Sequence, residues 1–210
     1  MRGKFGPASE VLREQLAQEA ARLITEHGIN DYGQAKRRAA ARFGVRNAGA
    51  LPSNTEIELS VIERQRIFDP DLHESRVTAM RIIAIEIMEM LDEFQPRLVG
   101  PVLAGTVTES SPVELHVYTD SPECVLQVLD QSGINSRDYQ RRYRLSTRHE
   151  SIIPGFRFRR QGEPVYVLTF PEKGLRQPPI SPVDRRPIRR AARHRVAALL
   201  DEKTIHATKD

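Results

Sequence analysis

The chain has 210 residues, with 32 Lys and Arg against 28 Asp and Glu, a formal net charge of +4 and an isoelectric point near 9.4. That length buries a real core in one or two domains, and the slight excess of base permits contact with phosphates without demanding it. The lone cysteine excludes an internal disulfide framework, no apolar run has the length that spans a bilayer, and the opening residues lack the apolar stretch of a secretory signal, so a reducing, cytoplasmic setting without membrane contact is expected.

The first ninety-five residues read as helical. Ser9 caps an expected helix to about Glu26, with Leu12, Leu16, Ala20, Leu23 and Ile24 as its apolar stripe and Gly28 as its stop. Asp31 caps a second, from Tyr32 to Phe43. Its basic run from Lys36 to Val45 resembles the first helix and turn of a helix-turn-helix, although the loop from Val45 to Pro52 is longer than that motif uses. Ser53 or Asn54 caps a third, with Ile57, Leu59, Val61, Ile62 and Ile67 apolar. A fourth is expected from Leu72 to Phe94 and ends before Pro96; Met80, Met88 and Met90 on it read as core packing.

The next segment carries the most information. Leu98 and Val99 form a strand that runs into Gly100, and Gly105 follows five residues later. Ser110 and Ser111 precede Pro112 and the alternating run Val113-Glu114-Leu115-His116-Val117-Tyr118, which reads as a half-buried strand. Ser121 and Pro122 open a helix that ends near Gly133 and holds Cys124 as a small core residue. Three strand-like runs follow, Tyr139 to Ser146, Ser151 to Arg160 and Pro164 to Pro171, and Gln161-Gly162 joins the last two as a hairpin. The prolines between Glu172 and Pro187 predict irregular chain, and Ile188 to Asp201 predicts a closing helix.

The glycine spacing and the strand after it resemble the nucleotidyltransferase fold of the DNA polymerase β superfamily. The resemblance covers roughly residues 70 to 175. Gly100 and Gly105 match the family's two glycines, Ser111 matches the serine before its first acid, and Glu114 takes the place of its second acid. The resemblance implies an α+β protein, a helical N-terminal part packed on a mixed sheet of nucleotidyltransferase type. It divides the chain into a helical region over 1–70, a nucleotidyltransferase-like core over 71–175, and a proline-rich segment with a C-terminal helix over 176–210. It also implies nucleotide contacts at Gly100, Gly105, Thr106, Ser110 and Ser111, and weak magnesium or manganese binding at Glu114 with His116 beside it. Pro101 and Pro112 depart from the pattern. They stand where the family has a phosphate-contacting serine and its first metal-binding aspartate. The strand from Val165 to Phe170 offers no third acid, and only Glu163 precedes it. One glutamate does not replace converging carboxylates in a two-metal site.

Two other features bear on partners. Arg137, Arg141, Arg142, Arg144 and Arg148 are continued by Arg157, Arg159 and Arg160, with Tyr139, Tyr143, Phe156 and Phe158 interleaved. Alternation puts Arg142 and Arg144 on one strand face and Arg157 and Arg159 on one face of the neighbour, a platform for nucleic acid if the faces coincide. The six histidines have no zinc spacing. Three functional classes follow: a nucleotidyltransferase-like protein with a degraded catalytic site that binds a nucleotide, nucleic acid or protein; a working metal-dependent nucleotidyltransferase with an unusual ligand set; and a DNA-binding regulator using the basic N-terminal helices.

Overall fold

A computed structural model describes residues 7–29, 31–45, 51–68, 70–146, 149–181, 183 and 185–207, with the backbone alone at 7–9, 65–68, 70 and 202–207. The fold is α+β with a five-stranded mixed sheet. The chain divides into two compact units: Met1–His73 with Thr108–Ser110 and Pro182–Asp184, and Glu74–Val107 with Ser111–Ser181 and Arg185–Asp210.

The first unit holds helices α1 (Pro7–His27), α2 (Tyr32–Arg42) and α3 (Asn54–Phe68). Helix α1 starts ahead of the expected Ser9 cap, because the fixed φ of Pro7 suits a first helical turn. Gly28, at φ +64°, ends it. Leu16, Ala20 and Ile24 of α1 share one apolar cluster with Ala35 and Ala39 of α2 and Ile57 and Val61 of α3. The caps are built from the side chains the sequence offers. Asp31 accepts from the Gln34 amide at 2.5 Å, and Ser53 and Glu56 form a reciprocal capping box at 3.1 and 2.6 Å. Ile57 and Val61, one turn apart, take the buried stripe of α3. Leu59 and Ile62 lie off that stripe and are exposed at 60% and 43%, against expectation. Residues 46–50 of the expected loop, the side chain of Ile67 and Arg148 lie outside the described residues.

Helix α4 (Pro70–Met90) leads into the second unit and ends in a 3-10 turn, Asp92–Phe94. Then come β1 (Arg97–Val99), a one-turn helix α5 (Gly100–Ala104), β2 (Val113–Tyr118), α6 (Pro122–Gln131), β3 (Arg137–Arg144), β4 (Glu150–Arg160), β5 (Glu163–Phe170) and α7 (Arg193–Ala207). The sheet order is β1-β2-β5-β4-β3. Only the β2–β5 pair is parallel.

Period-two alternation gives the sheet two different faces. On one face Val113, Leu115, Val117, Val165, Val167, Phe156 and Phe158 pack with Met80, Ile83, Ile87 and Met88 of α4, Val125 and Leu129 of α6 and Val196 of α7. The registers place on the other face Glu114, His116 and Tyr118 of β2, Tyr166, Leu168 and Phe170 of β5, Ile153, Gly155 and Arg157 of β4, and Arg137, Tyr139, Arg141 and Tyr143 of β3.

Three expectations are corrected here. Strand β2 is buried at all six residues rather than half-buried, because it lies between β1 and β5 and both of its faces are covered. Cys124 is exposed, one position off the Val125–Leu129 stripe of α6. The closing helix begins at Arg193 rather than Ile188. The preceding chain is extended, and Ala191 exchanges two backbone hydrogen bonds with Leu98, at 2.9 and 3.0 Å, along the outer edge of β1. Among the described residues no helix is long and apolar enough to cross a membrane.

Candidate functional site

Gly100 and Gly105 both take positive φ, +69° and +76°, which explains why the turn between β1 and β2 needs glycine at each. Gly105 caps α5, its amide bonding the Pro101 carbonyl. Val99 pairs with Glu114 across β1 and β2, so a Cβ at Gly100 would lie 4.0 Å from Glu114 Oε2. The spacing read from the sequence therefore does bring the first glycine beside the candidate acid. Near Gly105 the turn is braced by Arg81 of α4, buried at 5% exposure, whose Nε donates to the Val102 carbonyl at 3.2 Å and Nη2 to that of Leu103 at 3.4 Å. Burial lowers the Arg81 pKa. Thr106 and Ser111 are buried in the same unit, whereas Ser110 belongs to the helical unit.

Glu114 is a closed carboxylate. The Tyr143 hydroxyl donates to Oε1 at 2.6 Å, and Arg141 donates to Oε2. Glu114 is 6% exposed on an interior strand, and both of its oxygens are taken by protein donors. Burial by itself raises its carboxyl pKa, but His116, Arg141 and the Tyr143 hydroxyl outweigh burial and hold it at about 2. Burial and the neighbouring Glu114 charge push Tyr143 well above the usual tyrosine value.

His116 completes the cluster and is wholly buried. Its Nε2 lies 3.0 Å from the Tyr143 oxygen and 3.7 Å from Glu114 Oε1, and the Phe170 ring is tilted against it with centroids 4.4 Å apart. The tyrosine proton goes to Glu114, so the tyrosine oxygen accepts and His116 carries its proton on Nε2. His116 Nδ1 is buried with no hydrogen-bond partner. A second proton there would have nothing to bond. Desolvation lowers the His116 pKa below the ordinary 6.5 despite Glu114, and the charges of Arg190 and Arg141 lower it further.

A pH effect follows. Below pH 6.5 the unfolded chain takes a proton that folded His116 refuses, so stability falls as pH drops from that value. Glu114 acts in the same sense at lower pH: its contribution is complete above 4.5 and is lost as pH falls through about 2. Urea midpoints measured from about pH 8 to about pH 5 should decline for the wild type and decline less for His116→Gln, which keeps a donor to Tyr143 and cannot titrate. Equal slopes for the two proteins would show that His116 titrates normally.

Glu163, the one further acid near the later strand, does not converge on Glu114. Tyr166 stands directly opposite it on β5, and Glu163 turns to the other face and pairs with Arg76 at 3.1 Å. Among the described residues no group of three or more His, Cys, Asp or Glu is placed to hold a metal ion. An open hollow of about 290 Å³ lies elsewhere, lined by Asp92, Gln95, Pro96, Arg97, Ala192, Arg193 and His194. No residue expected from the sequence to bind a ligand lines it.

The arginine platform is also corrected. Arg142 pairs with Ile152 and Arg157 with Arg137, so Arg142 and Arg144 face one side of the sheet while Arg157 and Arg159 face the other. Both residues of the first pair meet Glu150, at 3.9 and 3.0 Å. Sequence reading missed the partners that matter most, Arg141 and Tyr143 for Glu114 and Arg190 for Tyr118. Arg190 donates to the Tyr118 hydroxyl at 2.5 Å and to the carbonyls of Gly174 and Leu175 at 3.1 and 2.9 Å, which fastens the chain after β5 over the end of the sheet. In the helical unit, Arg42 of the basic helix pairs with Glu19 at 3.0 Å, and Ala35, Ala39 and Ala40 are buried.

Comparison of the chain with protein-family models, curated proteins and solved structures gave no match.

Proposed function

We propose that this chain is a nucleotidyltransferase-like protein that binds a phosphate-bearing partner and does not transfer nucleotides. One observation carries the reading: both oxygens of Glu114 are engaged by protein donors, one of them the guanidinium of Arg141. A divalent ion at that carboxylate would have to displace a positive charge that already neutralises it, and would find Pro112 and Tyr166 where further oxygen ligands are needed. The residues present do not fit a pair of magnesium or manganese ions. The order of parts supports the nucleotidyltransferase likeness: a short strand, a glycine-bounded turn, an antiparallel strand with the acid, and a later strand parallel to it.

The test is incubation of the purified chain with radiolabelled nucleoside triphosphates and manganese, with RNA, protein and small-molecule acceptors. No incorporation above background is expected. Metal-dependent incorporation that disappears in a folded Glu114→Gln variant would replace this reading with a working transferase.

A further inference from the structure

On the face of the sheet that carries Glu114, the geometry points to a binding surface for single-stranded nucleic acid, built from Arg137 and Arg157 beside the stacked pair Tyr139 and Tyr166. The inference rests on the phosphate-binding part of the proposed function and not on the loss of transfer. Arg137 and Arg157 are direct cross-strand partners on β3 and β4, and both are exposed. Like charges in that position repel. Among the described residues neither has a carboxylate within ion-pair distance, in contrast to Arg142 and Arg144 on the opposite face, which share Glu150. Arg159, two residues further along β4, is on the same side and donates to the Gly162 carbonyl at the hairpin. A phosphate between Arg137 and Arg157 would remove the repulsion and accept from two guanidinium forks.

The tyrosines make the surface suited to unpaired bases. Tyr139 is paired with Gly155 on β4, and glycine places no side chain beside it. Tyr139 leans across Gly155 and stacks on Tyr166 of β5, with ring centroids 4.6 Å apart and planes 27° from parallel. Both rings are half-buried, so part of each stays at the surface. Tyr166 is also the direct partner of Arg157. Aromatic rings among arginines on a strand face hold bases by stacking and the backbone by charge, whatever the sequence. Bases already paired in a duplex have no free faces to offer, and an acidic peptide would use the arginines without the rings.

The experiment is fluorescence anisotropy with labelled single-stranded RNA and DNA twelve-mers in chelator, so that no metal-dependent turnover enters, with a duplex of the same sequence and polyglutamate as competitors. Arg137→Ala/Arg157→Ala should weaken binding at least about tenfold and reduce the salt slope by about 1.4, and Tyr166→Ala should weaken it about tenfold. Tyr166→Phe, which keeps the stack, and Arg142→Ala/Arg144→Ala, on the other face, should stay close to wild type. Those two variants keep the test sharp if Tyr166→Ala fails to fold. No binding by the wild type, equal loss from the Arg142/Arg144 pair, or displacement by duplex or polyglutamate as effective as by the single strand would overturn the surface. Binding together with incorporation in the transfer assay would leave the surface standing and sink only the non-catalytic reading.

Discussion

Glu114→Ala is expected to destabilise the sheet unit by about 3 kcal/mol, the low end for removing one partner of a buried ion pair. The low end applies because the Arg141 side chain is 43% exposed, so water takes over much of its charge once the carboxylate is gone. The larger part comes from Tyr143. It is buried, and its hydroxyl would lose its acceptor at the end of a chain that runs from His116 Nε2 to the tyrosine oxygen and on to Glu114. An unsatisfied buried polar group costs about 1–3 kcal/mol. Tyr143→Phe, which breaks the same chain in the middle but leaves the Arg141 pair, should cost less, about 1–2 kcal/mol. Urea denaturation followed by tyrosine fluorescence suits the measurement. The chain has no tryptophan, and Tyr118, Tyr139, Tyr143 and Tyr166 all lie in the sheet unit. A loss below about 1 kcal/mol for Glu114→Ala would mean that the cluster behaves like an exposed pair and that the carboxylate is not closed.

The parts of this site that were legible in the sequence are those set by local chain geometry. Gly100 and Gly105 announced positive φ, and Val113 to Tyr118 announced a strand beside Leu98–Val99. The segment between them holds the short helix α5 as well as a turn, which a proline after Gly100 favours at a first helical position. The Gln161-Gly162 hairpin was equally readable. Both residues have positive φ, +51° and +84°, the conformation that matches a two-residue turn to the twist of its strands.

Parity across distant strands was not legible. The two-residue hairpin fixes Arg160 against Glu163, but β3 and β4 are joined by residues 145–149, and nothing in that loop says whether Arg142 or Arg141 faces the same way as Arg157. One residue of register decides it, since a slip by one turns every side chain to the other face. The same uncertainty hid the partners of Glu114. Arg141 and Tyr143 follow it by 27 and 29 residues on the far edge strand, and a glutamate between valine and leucine reads as solvent-facing unless those two donors are known to arrive.

Strands β4 and β5 come together at Gly155, and Gly155→Ala is expected to be the most damaging small substitution in the sheet. Strand β4 pairs with β5 only from Gly155 to Arg160, while its first half, from Glu150 to Pro154, pairs with β3 alone. Pro154 lacks an amide, and its carbonyl accepts from the Thr169 hydroxyl at 2.9 Å instead. A Cβ on Gly155 would lie 2.1 Å from the Val167 carbonyl oxygen and 2.9 Å from the Leu168 Cα. Both belong to the backbone of a buried strand, so no side chain can swing aside. Two effects oppose each other. Alanine in place of glycine restricts the unfolded chain and should stabilise by about 0.4–1 kcal/mol where the backbone accepts it. Overpacking a site that cannot yield costs about 1–3 kcal/mol or more, and here the clash is with main chain, so a net loss of about 3 kcal/mol is expected. The loss should also reach the surface chemistry, because pushing β4 away from β5 carries its β3 partners Arg141 and Tyr143 away from Glu114. Thermal melts together with the pH dependence of tyrosine absorbance give both readings: a lower melting temperature, and a Tyr143 that titrates closer to an ordinary tyrosine. A variant as stable as the wild type, or more so, would show that β4 and β5 leave room for a side chain at Gly155.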